Sequence, residues 1–240
     1  MHTIGLSQLR VKIFADSADQ ARMLELQARS YIMGFTTNPT LMRRAGVADY
    51  RAFARDILSA ITDKPVCFEV LADDFSEMER QAFEIASWAA NVYVKIPITD
   101  TRRTSSVALI RRLSARGVKL NVTALMTLRQ LREVLPALDA DTPSYVSMFA
   151  GRIADTGIDP VPLLTQAAEI LKAIPSAGLV WASSRELLNI FQAEAAGCHA
   201  ITLTTDILSK LSLIGHDLTD YSLETVRMFR DDAESARFTL

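Results

Sequence analysis

The chain has 240 residues, of which 49% are hydrophobic and 22% charged, which is enough apolar material for one large domain or two small ones. Twenty-six basic and 28 acidic residues give a formal net charge of −2, so the charge balance does not indicate a nucleic-acid or membrane-surface partner. The N-terminal residues lack the apolar core of a signal peptide and no apolar run reaches membrane-spanning length, so we expect a cytoplasmic protein.

Short apolar strands alternate with helical segments along the whole chain. The predicted strands cover residues 11–16, 34–38, 66–70, 92–96, 119–124, 145–149, 178–183 and 200–204. The predicted helices cover residues 17–31, about 49–61, about 75–89, about 104–116, 128–135, 160–174, 185–196 and 206–213, with one extra helix over about 222–236.

Eight strand-then-helix units of this kind predict a parallel sheet, because parallel strands need crossover connections. A closed (β/α)8 barrel uses this number of units in this length, so we predict an α/β fold with a single TIM-barrel domain over residues 1–240. A doubly wound open sheet is the alternative. It is disfavoured because no Gly-x-Gly-x-x-Gly motif follows the first strand.

Polar side chains stand at the carboxyl ends of nearly all the predicted strands, which is where a barrel of this type carries its active site. They are Asp16, Asn38, Glu69, Lys95, Asn121, Thr123, Ser147, Ser183, Thr202 and Thr204. Side chains two residues apart on a strand share a face, so Phe149 is expected to face the same way as Ser147. The interior of a small barrel is normally apolar, so these residues indicate a lined site.

Lys95 is the most informative of them, because it lies near the end of the short buried strand Val-Tyr-Val-Lys-Ile. A buried strand tolerates an ammonium group poorly, so Lys95 must face a cavity, be paired or be neutral. We expect a lowered pKa, which is the condition for Schiff-base catalysis. With the carboxylates of Asp16 and Glu69, Lys95 forms a set suited to carbonyl chemistry without a metal. Neither His199 nor His216 is at a strand end where a general base would lie, and His2 is terminal.

Five segments of the chain resemble transaldolases in both order and spacing. They are residues 34–40 (Gly-Phe-Thr-Thr-Asn-Pro-Thr), 94–97 (Val-Lys-Ile-Pro), 121–124 (Asn-Val-Thr-Ala), 147–152 (Ser-Met-Phe-Ala-Gly-Arg) and 182–185 (Ala-Ser-Ser-Arg). The short length resembles the small transaldolases related to fructose-6-phosphate aldolases. The resemblance implies transfer of a dihydroxyacetone unit between sugar phosphates, with the pentose phosphate pathway as the usual setting.

The resemblance also implies the catalytic roles. Lys95 matches the Schiff-base lysine, while Glu69 and Thr123 match the pair that holds a water and moves protons. Asp16 matches the acid that contacts the substrate hydroxyls at the cleaved bond. No cofactor and no metal ion are implied.

The expected substrate-binding residues are Asn38, Asn121, Ser147, Phe149, Arg152, Ser183 and Arg185. By resemblance, Asn38 and Asn121 lie beside the imine, and Ser183 with the two arginines holds the phosphate, because guanidinium groups bind phosphate with paired hydrogen bonds. Alternatively, Ser183 caps the next helix and the arginines are solvated loop charges.

The extra C-terminal helix has Leu223, Val226, Phe229 and Ala233 at helical spacing, which forms an apolar stripe. We expect it to pack on the barrel or on a neighbouring subunit. By resemblance to the small transaldolases, the protein is a homo-oligomer, a pentamer or decamer.

Two other functions stay open. One is a lyase of the fructose-6-phosphate aldolase type that uses free dihydroxyacetone; that subgroup has glutamine in place of Glu69 and tyrosine in place of Phe149. The other is a non-catalytic sugar-phosphate-binding barrel. Departures from the family pattern at Arg102, Arg103, Ser184 and His199 leave the acceptor aldose open, including one of a specialised pathway.

Overall fold

The computed structural model describes residues 6–237. Its strands are β1 Lys12–Asp16, β2 Ile32–Thr36, β3 Val66–Glu69, β4 Val92–Pro97, β5 Leu120–Leu125, β6 Ser144–Met148, β7 Ala177–Trp181 and β8 Ala200–Thr204. All eight are parallel and pair in sequence order, and β8 pairs with β1 to close the barrel. The predicted (β/α)8 barrel is therefore confirmed.

Helices surround this barrel. They are α1 Gln20–Gln27, α2 Pro39–Arg44, α3 Tyr50–Ala60, α4 Phe75–Ala86, α5 Val107–Ser114, α6 Leu128–Val134, α7 Ala150–Ala154, α8 Pro160–Leu171, α9 Leu188–Ala195, α10 Thr205–Leu208 and α11 Leu218–Ala236. Short 3-10 turns cover Leu6–Gln8, Leu135–Ala137 and Leu211–Leu213. Within residues 6–237, no helix is long and apolar enough to cross a membrane.

Local sequence signals explain where the larger helices begin. Asp49, Asp74 and Asp159 precede α3, α4 and α8, and each carboxylate accepts hydrogen bonds from backbone N–H groups of the first turn. Thr127 and Gln130 form a reciprocal capping box at the start of α6. The barrel-facing sides of these helices bury one continuous apolar core against the outside of the strands.

An aromatic cluster fills the lower barrel, beneath the polar strand ends. The ring of Tyr145 lies 5.4 Å from that of Phe14 and 4.8 Å from that of Tyr93, measured between centroids. Gly34 and Gly178 make room for it, because an added Cβ would lie 2.7 Å from the Phe14 ring and 3.0 Å from the Tyr145 ring. The barrel is therefore closed below and polar above.

Two predicted boundaries differ from the structure for identifiable reasons. β2 is Ile32–Thr36 instead of 34–38, because Asn38 caps a helix and so lies beyond the strand. α5 begins only at Val107, since the buried carboxylate of Asp100 accepts bonds from the backbone N–H groups of Arg102 and Thr104 and folds residues 99–105 into a small turn.

The C-terminal helix α11 begins one turn earlier than predicted, because Asp217 caps its first turn. None of its residues is buried in the single chain, so the expected packing on its own barrel is not observed. That residues 1–240 form a single domain stays a prediction, since residues 1–5 and 238–240 lie outside the described range.

Candidate active site

A cavity of about 470 Å³ opens at the carboxyl ends of the strands. The residues predicted as catalytic or substrate-binding all line it: Asp16, Asn38, Glu69, Lys95, Asn121, Thr123, Ser147, Phe149, Arg152, Ser183 and Arg185. The structure therefore brings together residues from strands β1 and β3 to β6, from the loops after β2, β6 and β7, and from helix α7. Their chemical roles stay predictions.

Lys95 lies at the floor of this cavity and is only 7% exposed. Its Nζ donates a hydrogen bond to the backbone oxygen of Thr37 at 2.8 Å and lies 3.0 Å from Oε2 of Glu69. Lys95 and Glu69 are direct neighbours in the register of β4 and β3. The lysine is thus paired inside the barrel and still reachable from the cavity.

The expectation of a lowered pKa for Lys95 is wrong. Burial lowers the pKa, but the carboxylates of Glu69 and Asp16 together with the hydrogen bond to Glu69 outweigh burial, and the net pKa is raised above 10.5. Before ligand binds, Lys95 is an ammonium ion at neutral pH. The sequence showed the buried strand but not how close the two carboxylates would come to the amine.

The carboxylate of Asp16 lies in the same cavity, where burial affects its pKa in the opposite direction from that of Lys95. Burial raises its pKa above 3.8, although the positive charge of Lys95 and a hydrogen bond from Thr36 act against this. The Thr36 hydroxyl donates to Oδ1 of Asp16 at 2.8 Å. A carboxylate with a raised pKa is a better proton acceptor near neutral pH.

A buried polar chain orients the amide of Asn121, the register neighbour of Lys95 on β5. The hydroxyl of Ser147 donates to Oδ1 of Asn121 at 2.7 Å, and Nδ2 of Asn121 lies 3.5 Å from the sulfur of Cys67. Burial raises the pKa of Cys67 to about 11, so its thiol is neutral. Cys67 and Cys198 are both buried and free.

Thr123 is presented to the cavity by an irregularity in β5. The pairing register of β5 and β6 shifts between Val122 and Leu125, and Ala124 takes a left-handed conformation with φ of 65°. The hydroxyl of Thr123 is buried, and no group among the described residues bonds to it. A buried hydroxyl of this kind is available to a molecule in the cavity.

Asn38 and Phe149 form part of the wall. Oδ1 of Asn38 accepts the backbone N–H of Leu41 at 3.0 Å and so caps α2, while its NH2 group makes no bond within the described part of the chain. Phe149 lies just after β6 and is half-buried. It lines the cavity, so it is not simply a core aromatic.

The two arginines of the expected phosphate site differ in their surroundings. The guanidinium of Arg152 lies 5.8 Å from the centroid of the Phe149 ring and has no carboxylate partner among residues 6–237. Arg185 is held by Asp155 through two hydrogen bonds. Ser183 has a left-handed backbone with φ of 64° and caps no helix, since α9 begins only at Leu188.

The cavity is also lined by Thr36, Thr40 and Arg44, which the sequence did not identify as site residues, and by Thr202, one of the predicted strand-end residues; Thr204, another of them, does not line it. Thr36 and Thr202 share the inward face with the other strand ends, which strand alternation indicates once the bounds of β2 are known. Arg44 ends the short helix α2. No sequence signal points to it, because that helix was not predicted.

None of the residues that depart from the family pattern lines the cavity. Arg102 pairs with Asp100, and neither Arg102 nor Arg103 lines the site. Ser184 is buried and its hydroxyl donates to the backbone oxygen of Thr202. His199 lies at the opposite end of the barrel, where its Nδ1 accepts the backbone N–H of Leu179.

The described part of the chain places no histidine and no metal-binding cluster in this cavity. Neither His199 nor His216 lines it, and His2 lies outside the described residues. In the range 6–237, no group of three or more His, Cys, Asp and Glu side chains is arranged to hold a metal ion.

Comparison with protein families gives a match over residues 13–240 to the model described as transaldolase/fructose-6-phosphate aldolase. Proteins named "Probable transaldolase" are similar over most of their length. The one from Dehalococcoides mccartyi is 33% identical over 88% of this chain and 93% of its own. Those from Streptococcus agalactiae and Methanococcus maripaludis are each 34% identical, over 90% and 89% of this chain and 95% and 94% of theirs.

Among solved structures, a similar chain is that of a cube-shaped, highly porous protein cage designed by fusing symmetric oligomeric domains. The TM-score is 0.55 with 13% identity, and the match covers 95% of this chain and 78% of the other. At this identity the likeness concerns the fold alone.

Proposed function

Since the chain belongs to the transaldolase/fructose-6-phosphate aldolase family, we propose that it is a transaldolase-type transferase that works through a Schiff base on Lys95. It moves a dihydroxyacetone unit from a ketose phosphate, such as fructose 6-phosphate or sedoheptulose 7-phosphate, to an aldose phosphate. The observation that carries this proposal is the pairing of the buried Lys95 amine with Glu69, 3.0 Å away, at the floor of a polar cavity.

The first steps form the imine. The ammonium of Lys95 gives a proton to Glu69, and the neutral amine attacks the C2 carbonyl of the ketose. Loss of the C2 oxygen as water gives a protonated imine, which carries the same charge as the starting ammonium. Glu69 and Asp16 therefore stabilise the imine cation by the charges that raise the pKa of Lys95 at rest.

Cleavage of the C3–C4 bond then needs a base for the C4 hydroxyl. We assign this to Asp16, whose Oδ1 is fixed by Thr36 and whose raised pKa makes it a competent acceptor. The C4 hydroxyl proton goes to Asp16, the bond electrons go to the imine, and an aldehyde leaves. A three-carbon enamine stays on Lys95.

Transfer requires that this enamine survives until an acceptor aldehyde arrives. Phe149 supplies a cavity wall with no proton to give. Glu69 and the buried hydroxyl of Thr123 face the same space and supply partners for a water that moves protons during imine formation. Re-addition of the enamine to the new aldehyde reverses the steps, and hydrolysis of the imine frees Lys95.

The substrate phosphate is assigned to Arg152, Arg185 and Ser183, whose side chains line one side of the cavity. Within residues 6–237, the guanidinium of Arg152 has no carboxylate partner and the hydroxyl of Ser183 has no hydrogen-bond partner, so both are suited to bind an anion. We assign the hydroxyls of the three-carbon unit to Asn38, Asn121 and Ser147. Every step uses side chains of this chain, so we propose metal-independent chemistry without a cofactor.

The exposed apolar residues of helix α11 are the observation that supports a homo-oligomer. Val226 and Phe229 are 60% and 63% exposed and lie on one face of the helix, with Leu218 at 81%. Burying such a face against another copy removes apolar surface from water. We propose a cytoplasmic homo-oligomer, a pentamer or decamer as in the small transaldolases.

The second candidate is a lyase that releases free dihydroxyacetone, and the pair Glu69 and Phe149 favours transfer over it. The test is to incubate the enzyme with fructose 6-phosphate, with and without an added aldose phosphate. Transfer predicts sustained glyceraldehyde 3-phosphate release only when the aldose phosphate is present. Sustained release without it, with free dihydroxyacetone, supports the lyase. No release under either condition supports a binding barrel.

A further inference from the structure

Arg185 is on an exposed loop, yet its position is well defined. It lies between β7 and α9, where its backbone N–H donates to Oδ1 of Asn189 at 2.8 Å. Its side chain is 49% exposed and reaches the edge of the cavity. An arginine in this setting is normally free to move among many rotamers.

Asp155 removes that freedom. Nε of Arg185 donates to Oδ1 of Asp155 at 3.1 Å, and the second terminal nitrogen, Nη2, donates to Oδ2. This is the paired geometry in which a carboxylate fixes both the position and the plane of a guanidinium. Asp155 itself does not line the cavity, so it acts on the site only through Arg185.

The backbone around this pair is packed too closely to shift. Asp155 ends α7, and Gly151 in the same helix lies against the carbonyl of Ser183, where an added Cβ would be 1.6 Å from the oxygen and 3.2 Å from Nε of Arg185. Helix α7 and the loop after β7 therefore form one interlocked unit. The carboxylate is held at a fixed place relative to the cavity.

We propose that Asp155 is a positioning residue that holds the guanidinium of Arg185 ready for the substrate phosphate. The proposal rests on the assignment of Arg185 to the phosphate site. With Nε and Nη2 bound to Asp155, the N–H groups on Nη1 stay available to the anion. Binding then orders no further side chain, and the ordering cost of Arg185 is met in the folded enzyme.

The negative charge of Asp155 also repels a phosphate, so repulsion and the positioning of Arg185 change phosphate affinity in opposite directions. Asp155 is 52% exposed and Arg185 49%, and charges this exposed are screened by water and salt. The entropy cost of ordering a released arginine side chain is not reduced by this screening. We therefore expect positioning to outweigh repulsion.

The test is a double-mutant cycle in the full-length enzyme with Asp155→Ala, Arg185→Ala and the double variant. Asp155→Ala should raise KM for phosphorylated substrates about tenfold, the size expected when a flexible side chain must be ordered at each binding event, with kcat nearly unchanged. Arg185→Ala should raise it at least as much. In the Arg185→Ala background, Asp155→Ala should change nothing further.

Matched variants and substrates separate positioning from stability. Glu186→Gln removes a neighbouring exposed carboxylate that has no ion-pair partner among the described residues and should leave KM unchanged. Asp155→Asn keeps one acceptor oxygen and should fall between wild type and Asp155→Ala. A donor without phosphate should respond to none of these changes, and inhibition by inorganic phosphate should weaken in parallel with KM.

Three results would overturn the proposal: additive effects in the cycle, equal loss for the phosphate-free donor, or tighter phosphate binding by Asp155→Ala. A different result would bear on the proposed function. If Arg185→Ala leaves KM for phosphorylated substrates unchanged, Arg185 does not bind phosphate. If Arg185→Ala weakens them and Asp155→Ala does not, only the role of Asp155 is wrong.

Discussion

The charges of Lys95, Glu69 and Asp16 depend on one another because all three groups share one buried space. Burial alone would favour the neutral forms of Lys95 and Asp16. Together, the carboxylates keep the amine protonated and so raise its pKa. The lysine is therefore activated when a proton moves to a neighbour 3.0 Å away, and not by a lowered resting pKa.

Glu69→Gln tests this account of Lys95. Removing the nearest negative charge leaves burial opposed only by Asp16, so the pKa of Lys95 should fall. The rate of imine formation should reach its alkaline plateau at a lower pH, measured by rapid mixing with fructose 6-phosphate over a pH series. Turnover should drop by about 10²–10⁴-fold, because the proton acceptor is lost.

The matched control is Glu79→Gln, which removes a carboxylate on the outer face of α4 that pairs with Arg112. It should leave both the pH profile and turnover as in wild type. If the pH profile of Glu69→Gln is the same as that of wild type, Glu69 does not control the charge of Lys95.

Strand alternation and motif spacing predicted most of the polar residues that line the cavity, but not Thr36 or Arg44. They were insufficient for interactions that depend on distance. The bond from Thr36 to Asp16 crosses between two strands whose register the sequence does not state. The pairing of Arg185 with Asp155 joins residues 30 positions apart through the packing of Gly151 on Ser183.

Among the structural elements, the pairing of β7 with β8 contains a titratable contact. Nδ1 of His199 accepts a hydrogen bond from the backbone N–H of Leu179 at 3.0 Å. This bond requires that Nδ1 carry no proton and that the imidazole be neutral. Burial and then the charge of Lys12 lower the pKa of His199 below 6.5. The folded protein therefore resists a proton that the unfolded chain accepts.

This contact predicts a pH dependence of stability. As pH falls below about 6.5, the unfolded chain binds a proton at His199 and the free energy of unfolding decreases. His199→Asp keeps an acceptor that stays ionised in this range, so that part of the decrease should disappear. Urea unfolding of both proteins between pH 5 and 8 measures the difference. Parallel curves would show that His199 does not contribute.

The elements that the sequence did not predict are short. α2 and α7 have six and five residues, too few for a helical period to appear. The cap of α2 was nevertheless present in the sequence, since Asn38 followed by Pro39 is a helix-start signal. For α7 no such signal exists, because Phe149 makes no side-chain cap.

At the scale of the whole molecule, helix α11 is the element whose apolar stripe is not buried within the described chain. It has 19 residues and buries none of them. The apolar stripe was evident from the sequence, but no described part of the same chain buries it. The predicted barrel is confirmed, whereas the homo-oligomer stays a prediction.

Charge placed on this stripe tests the proposed oligomer. Val226→Glu with Phe229→Glu should give a smaller species by light scattering, because two carboxylates would be buried in the interface without partners. Ser235→Glu, at an exposed position on the opposite face of the same helix from Val226, is the control and should leave the size unchanged. If both variants have the wild-type size, α11 does not form the interface.

The most direct test of the proposed chemistry is to trap the intermediate on Lys95. The enzyme is incubated with fructose 6-phosphate, reduced with borohydride, digested and analysed by mass spectrometry. The Schiff-base mechanism predicts a stable three-carbon adduct on Lys95, and none in Lys95→Met, a variant that keeps the apolar length of the side chain. Turnover without any adduct, or an adduct on another lysine with Lys95→Met still active, would contradict it.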